Sequence, residues 1–128
     1  MPIRIVRLGE PRARGEGLRV GTVRRPPRGV PKREYASRDF YDVWLPELAP
    51  SEALVVLGLK AADARTWRTF VRRYRAEMTR PPAARLLALL AALSRDTAFS
   101  VGCYCEAEAH CHRSILRQLL CEHGARLA

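Results

Sequence analysis

The stretch FSVGCYCEAEAHCHRSILRQLL, residues 99–120, decides the fold because it joins a buried strand to an amphipathic helix. The segment from Thr97 to Tyr104 is short, apolar and partly β-branched, which is typical of a central strand in a parallel sheet. From about Cys111 to His123, apolar residues recur on one helical stripe, and Gly124 stands where helices commonly end. Residues 97–123 therefore predict a strand, a loop and a helix.

The chain before this unit predicts two strands and three helices. Alternating apolar residues predict strands from Ile3 to Leu8 and from Leu18 to Val23. We interpret Asp39 to Pro50 as irregular or extended, with Phe40, Val43 and Trp44 partly buried. Capping residues and helical periodicity predict helices at 52–57, 64–79 and 83–94. At 128 residues we expect one α/β domain, 1–128, with an open, mainly parallel sheet and helices packed on it.

The charge of the chain is concentrated near its N-terminus. The formal net charge is +10, and residues 1–38 hold eleven basic but only three acidic residues. A stiff, proline-rich basic loop, residues 24–34, contains Arg24 and Arg28. Arginine at this density favours phosphate, carboxylate or nucleic-acid partners. No run approaches the roughly 18 apolar residues that span a bilayer, so we expect a cytoplasmic protein whose cysteines are thiols or metal ligands.

The candidate site lies where the predicted strand ends and the last helix begins. Open parallel sheets generally bind ligands at the carboxyl ends of their strands, and a helix N-terminus attracts anions. A thiol of Cys103 or Cys111 there is expected to ionise easily. Together with His112 these form the candidate catalytic set, completed by Arg113, which can hold an oxyanion in a bidentate grip and is followed by Ser114.

Three interpretations of this cluster stay open. One is a reactive thiol beside an anion-binding arginine. Another is a metal site, with zinc as the expected ion, built from Cys103, Cys105 and Cys111 with His110 or His112. In the third, the cysteines only pack at the strand end. A phosphatase loop is excluded because it needs five residues between cysteine and arginine, whereas seven separate Cys105 from Arg113. Cys121 is expected to point elsewhere.

A set of motifs covers nearly the whole chain. They are Arg19-Val20, Arg24, Pro27-Arg28-Gly29-Val30, the Trp67, Phe70 and Tyr74 pattern, Cys103, and Cys111-His112-Arg113-Ser114. The set resembles a bacterial family called domain of unknown function 488, in its YeaO-like branch. The resemblance implies a small α/β protein with no established activity, and it suggests that Arg24 and Arg28 converge on the site of Arg113. The chain has Cys105 where the family commonly has an acid.

These observations lead to one leading expectation and two alternatives. We expect a pocket that binds an anionic small molecule through Arg24, Arg28, Arg113 and Ser114 and that carries reactive cysteines. An enzyme acting on a phosphorylated or nucleotide-like molecule would suit it. The first alternative is a nucleic-acid binding module that uses the N-terminal arginines. The second is a zinc or iron protein with Cys103, Cys105, Cys111 and His112 as ligands.

Overall fold

The computed structural model describes residues 2–105, 108 and 111–128, and this part of the chain contains a four-stranded, all-parallel sheet. The strands are β1 (Ile3–Arg7), β2 (Leu18–Gly21), β3 (Val43–Trp44) and β4 (Phe99–Cys103). Their order is β1-β4-β2-β3, so the last strand in sequence pairs with both β1 and β2. The predicted α/β class with a parallel sheet is confirmed.

Four α-helices are present in the described residues: α1 (Glu52–Leu59), α2 (Ala64–Met78), α3 (Ala83–Leu93) and α4 (His112–Glu122). The Ser51 hydroxyl accepts a hydrogen bond from the Leu54 N–H at 3.4 Å, which caps α1 as predicted. Gly124 ends α4 with φ +88°, a conformation that glycine adopts without a Cβ clash. Within these residues no helix has both the length and the apolar character needed to cross a bilayer.

The helices pack on one face of the sheet and form the main core. Phe99 and Val101 lie on that face of β4, and both are buried against residues of α4 such as Leu116 and Leu120. The aromatic stripe predicted on α2 belongs to the same core, with Tyr74 fully buried. Each fully buried leucine or phenylalanine contributes about 1.5–3 kcal/mol, so this face holds β4 and α4 in place.

The opposite face of the sheet is covered by loops and holds a buried ion pair. Arg19 is 1% exposed and binds Glu16 bidentately, with Nε to Oε2 at 2.8 Å and Nη2 to Oε1 at 3.0 Å. Ser100 of β4 donates to the same carboxylate at 2.7 Å. Arg19 Nη1 also donates to the carbonyls of Glu10 and Asp39. We call Arg19, Glu16 and Ser100 the Arg19 cluster.

The segment from Asp39 to Pro50 is irregular or extended, as predicted, and its extended part is the two-residue edge strand β3. Val43 and Trp44 are each 41% exposed, which is more than predicted. The exposure follows from the position of β3 at the end of the strand order, where it pairs with β2 alone. The Trp44 indole N–H donates to the Val23 carbonyl at 2.8 Å, which fixes the ring across the end of β2.

Candidate thiol site

The ends of β2 and β4 bring the candidate site together. The two strands are parallel neighbours, so the residues that follow them meet at one edge of the sheet. Cys103 is the last residue of β4 and is buried, whereas Cys105, two residues further on, is exposed. Thr22 follows β2, and its N–H donates to the Gly102 carbonyl at 3.0 Å.

The N-terminus of α4 supplies the other two members of the cluster. Cys111 is the N-cap residue and His112 the first residue of the helix, and both are buried. His112 Nε2 lies 2.7 Å from the Thr22 carbonyl oxygen. A carbonyl can only accept, so Nε2 carries the proton and Nδ1 of the neutral ring has a lone pair. That Nδ1 faces the Cys111 sulfur at 3.7 Å.

Burial keeps the His112 ring neutral. Desolvation lowers the pKa of His112 to about 4, and the hydrogen bond with the Thr22 carbonyl only partly opposes this shift. The ring also meets the edge of Tyr74, with centroids 5.6 Å apart, and the Tyr74 hydroxyl donates to the Leu48 carbonyl at 2.6 Å. At neutral pH His112 can therefore accept a hydrogen bond or bind a metal through Nδ1.

We call Cys103, Cys105, Cys111 and His112 the thiol cluster. The sulfurs of Cys103 and Cys111 and one ring nitrogen of His112 all lie within 4.8 Å of one another. Hydrogen bonds from the Cys103 and then the Cys111 thiol lower the pKa of Cys105 to about 2, and the positive charge of Arg113 adds to the effect. The hydrogen bonds with Cys105 and Cys111, together with burial, raise the pKa of Cys103. The hydrogen bond with Cys103 lowers the pKa of Cys111, but the hydrogen bond with Cys105 and burial raise it overall. The negative charge thus resides on Cys105, the exposed member.

A cavity of about 410 Å³ opens beside the thiol cluster. We call it the thiol cavity, and Cys103, Cys105 and His112 line one part of it. Arg24 lines it as well, with Nε donating to the Pro50 carbonyl at 3.0 Å and Nη2 to the Ala49 carbonyl at 3.1 Å. The remaining wall is mostly apolar and comes from Val23, Arg25, Pro50, Glu52, Val55, Val56, Leu59 and Tyr104.

Arg113 contributes to a different cavity. Its Nη2 donates to the Cys105 carbonyl, which ties the guanidinium to the back of the thiol cluster. The residue is 4% exposed, and it lines a cavity of about 510 Å³ beside β1. Arg24 and Arg113 thus lie in the walls of two separate cavities. Their predicted convergence on a single pocket is not seen in this arrangement.

The other two predicted anion-binding residues, Ser114 and Arg28, do not line the thiol cavity. The Ser114 hydroxyl donates to the Cys111 carbonyl at 2.9 Å, so it stabilises the first turn of α4. Arg28 is exposed in the basic loop and lines neither of these two cavities. His110 lies outside the described residues. Cys121 is exposed on α4, as expected for a residue outside the site.

Sequence reasoning missed two features of the site. It gave Cys105 a metal or redox role, although a position just beyond the end of the predicted strand was enough to place this thiol nearer to solvent than Cys103. It also missed the Thr22 carbonyl, which sets the tautomer of His112. No residue type signals that contact, because it uses a backbone oxygen 90 positions away in sequence.

The N-terminal arginines are mostly occupied by intramolecular contacts. Arg19 is buried in its cluster. Arg12 pairs with Asp42 at 2.6 Å, and Arg25 pairs with Glu52 at 2.7 Å. Nucleic-acid binding through these residues stays a prediction, and the contacts reduce the number of arginines available for phosphate backbones.

Fold and site together define a parallel α/β protein with clustered thiols at the carboxyl edge of its sheet. The chain matches the family model DUF488-N3a, described as the active DUF488-N3 subclade, over residues 3–124. The chain therefore belongs to the DUF488 family, which confirms the family resemblance predicted from its motifs. No curated protein and no solved structure matches it.

Proposed function

We propose that the protein is an enzyme that uses Cys105 in the thiol cavity as a nucleophile on a phosphorylated or nucleotide-like small molecule. The observation that carries the proposal is the position of this exposed thiol, beside two buried thiols and at the wall of a cavity that Arg24 also lines. A thiolate is the nucleophilic form of cysteine. The lowered pKa of Cys105 supports this role.

Each neighbour of Cys105 has a role in the proposed chemistry. Cys103 and Cys111 hold the thiolate by hydrogen bonds, and the neutral His112 ring faces the Cys111 sulfur through Nδ1 and packs beside it. Attack by Cys105 forms a bond from sulfur to the substrate, and the leaving group departs with the bonding electron pair. Water then cleaves the covalent intermediate and regenerates the thiolate.

Arg24 is the proposed anchor for the anionic group of the substrate. Its Nε and Nη2 are held by backbone carbonyls of Pro50 and Ala49, so these bonds orient the guanidinium without neutralising it. The two bonds leave Nη1 for an oxyanion. The apolar wall formed by residues such as Val55 and Val56 suits a nucleobase or another flat apolar group.

The experiment is protection of Cys105 from iodoacetamide by adenosine monophosphate, with modification measured by peptide mass spectrometry. We expect saturable protection in the wild type and in Arg33→Gln, a matched control whose side chain is 84% exposed. Arg24→Gln should weaken protection about tenfold, the effect of losing about 1.4 kcal/mol. Equal protection of Arg24→Gln and Arg33→Gln, or none in the wild type, would refute the proposal.

A metal-binding function is the second candidate, and one observation favours it. Cys103, Cys111 and His112 offer three donor atoms within 4.8 Å of one another. The Nε2 bond of His112 to the Thr22 carbonyl leaves Nδ1 for a metal, an arrangement common among metal-binding histidines. Zinc prefers such sulfur and nitrogen donors, and Cys105 is the proposed fourth ligand. One zinc or iron per chain in elemental analysis would support this function over the thiol enzyme.

We place the proposed enzyme in the cytoplasm. All four cysteines are free thiols in the structure, and the thiol cluster needs at least three of them reduced. A reducing compartment keeps such thiols from forming disulfides. Mass measurement of the chain alkylated in freshly lysed cells should show Cys105 as a free thiol.

A further inference from the structure

The cavity beside β1, which Arg113 lines, supports an inference that does not depend on the proposed thiol enzyme. We call it the edge cavity, because β1 supplies one wall of it through Arg4 to Arg7. Its volume is about 510 Å³, enough for a small organic ligand. Arg113 and Arg117 of α4 and Glu108 are also in the wall.

Most arginines around the edge cavity already have carboxylate partners. Arg117 binds Glu108 bidentately, with Nε to Oε2 at 2.6 Å and Nη2 to Oε1 at 3.0 Å. Arg19 binds Glu16 in the Arg19 cluster, and these residues also line the cavity. Each of these pairs is electrically neutral, so none of them attracts a further anion strongly.

Arg113 has no carboxylate partner among the described residues. It is 4% exposed, and its Nε is buried without a hydrogen-bond partner in the described part of the chain. Its Nη2 bonds a carbonyl, not a carboxylate. Burial lowers the pKa of Arg113, and the neighbouring thiols, Cys103 first and then Cys111, raise it overall, but Nε has no hydrogen-bond partner in the described residues. A buried N–H donor without a hydrogen-bond partner destabilises the folded protein, and the guanidinium that carries it is permanently charged. A bound oxyanion would accept this hydrogen bond and remove the cost.

Arg4 gives the cavity a second cation. It is half-buried on β1 and lines the edge cavity, and no ion pair joins it to a carboxylate in the described residues. Arg4 and Arg113 therefore leave the wall with a surplus of positive charge beside three glutamates that are already engaged by Arg7, Arg19 and Arg117. Guanidinium groups match phosphate oxygens in geometry and charge.

We propose that the edge cavity is a binding site for a phosphate group, held by Arg4 and by the Nε of Arg113. The site is separate from the thiol cavity, which Arg24 and Cys105 line. Its volume exceeds that of inorganic phosphate, so the class of ligand that fits it is a small phosphate ester.

The test uses inorganic phosphate as the probe and the Arg113 Nε–H resonance in an NMR titration at constant ionic strength. We expect a saturable shift in the wild type and in Arg33→Gln, the exposed control. Arg4→Gln should weaken phosphate binding about tenfold, or about 1.4 kcal/mol, while Arg4→Lys keeps most of it. A titration without saturation, or equal affinities of Arg4→Gln and Arg33→Gln, would overturn the proposal.

A second variant separates this site from the proposed enzyme. Arg24→Gln removes the proposed anchor from the thiol cavity, and phosphate should still shift the Arg113 resonance with wild-type affinity. Loss of phosphate binding in Arg24→Gln would place the anion in the thiol cavity and contradict an edge site. Retained phosphate binding in Arg24→Gln, together with no protection of Cys105 by adenosine monophosphate in the wild type, would support the edge site and refute the thiol enzyme.

Discussion

Two buried polar clusters flank β4, and they differ in how fully their polar groups are paired. In the Arg19 cluster, Arg19 and Glu16 form two direct bonds, and Ser100 and backbone groups complete the set. Around the thiol cluster, Arg113 keeps a buried Nε without a partner in the described residues. The first cluster is complete without a ligand, whereas the second has a charge and a donor that a ligand can use. We infer that the first serves stability and the second serves function.

Breaking the Arg19 cluster should have the largest effect on stability. Arg19→Met leaves the Glu16 carboxylate buried without its cation, and removing one partner of a buried pair costs about 3–5 kcal/mol. The free energy of unfolding from urea titration measures the loss. The matched control is Arg38→Met, because Arg38 pairs with Glu34 on the surface and should change stability by less than about 1 kcal/mol. A similar loss of unfolding free energy in both variants would mean that the buried pair contributes no more to stability than the surface pair.

The same cluster predicts a dependence of stability on acid. Burial alone would raise the pKa of Glu16, but hydrogen bonds from Arg19, Ser100 and Ala13 lower it to about 2 from 4.5. Because the folded pKa lies below the unfolded one, the stabilisation is complete above pH 4.5 and is lost as the pH falls towards 2. At about 1.4 kcal/mol per pKa unit the loss approaches about 3 kcal/mol.

Glu16→Gln isolates this acid dependence. The difference in unfolding free energy between wild type and Glu16→Gln should shrink steadily below about pH 4.5, since the wild type then loses its charge as well. Urea titrations of both proteins at several pH values give this difference. Parallel curves down to about pH 2.5 would show that Glu16 has no lowered pKa.

The thiol cluster should lose less stability when its histidine is replaced. His112→Leu removes the donor to the Thr22 carbonyl, and a buried carbonyl left unpaired costs about 1–3 kcal/mol. His123→Leu is the matched control, because His123 is exposed after the end of α4 and should change stability by no more than about 0.5 kcal/mol. An equal, small change in both would mean that the Thr22 contact does not stabilise the fold.

The sequence predicted the fold better than the site, for a physical reason. Hydrophobic periodicity predicted β4 and α4 correctly, because the apolar residues that it identifies, such as Phe99, Val101 and Leu116, are the ones buried in the core. It also puts Cys103 and Cys111 near one another, since a strand end and a helix start are joined by a short loop. Such patterns show which face of a helix or strand is buried, but they do not show which side chains contact one another.

The division of the arginines between two cavities could not be predicted in the same way. Arg24 and Arg113 both lie at the carboxyl edge of the sheet, but the carbonyls of Ala49, Pro50 and Cys105 determine where each guanidinium is held. The contacts of Arg24 use backbone oxygens 25 and 26 residues away in sequence, and that of Arg113 uses a backbone oxygen whose position no residue type signals. The sequence therefore indicated the candidate residues and left open which of them line the same cavity.

Replacing Cys105 should have the smallest effect on stability. Its side chain is exposed and a serine hydroxyl can still accept from the Cys103 and Cys111 thiols, so Cys105→Ser should lower the free energy of unfolding by no more than about 1 kcal/mol. Cys121→Ser, on the other exposed thiol, should change it by no more than about 0.5 kcal/mol. Urea titration checks both variants. A loss of several kcal/mol in Cys105→Ser alone would show that Cys105 is a structural residue, against the division of roles between the two clusters.

The most direct test of the account is the pH dependence of Cys105 alkylation. The rate of reaction with iodoacetamide is measured in Cys121→Ser between about pH 5 and pH 9, the range over which a free thiol with a pKa of about 8.5 ionises. Because the Cys103 and Cys111 thiols keep Cys105 ionised, we predict a rate that hardly changes with pH. A rate that rises about tenfold per pH unit would contradict the account, since Cys105 would then be protonated at neutral pH.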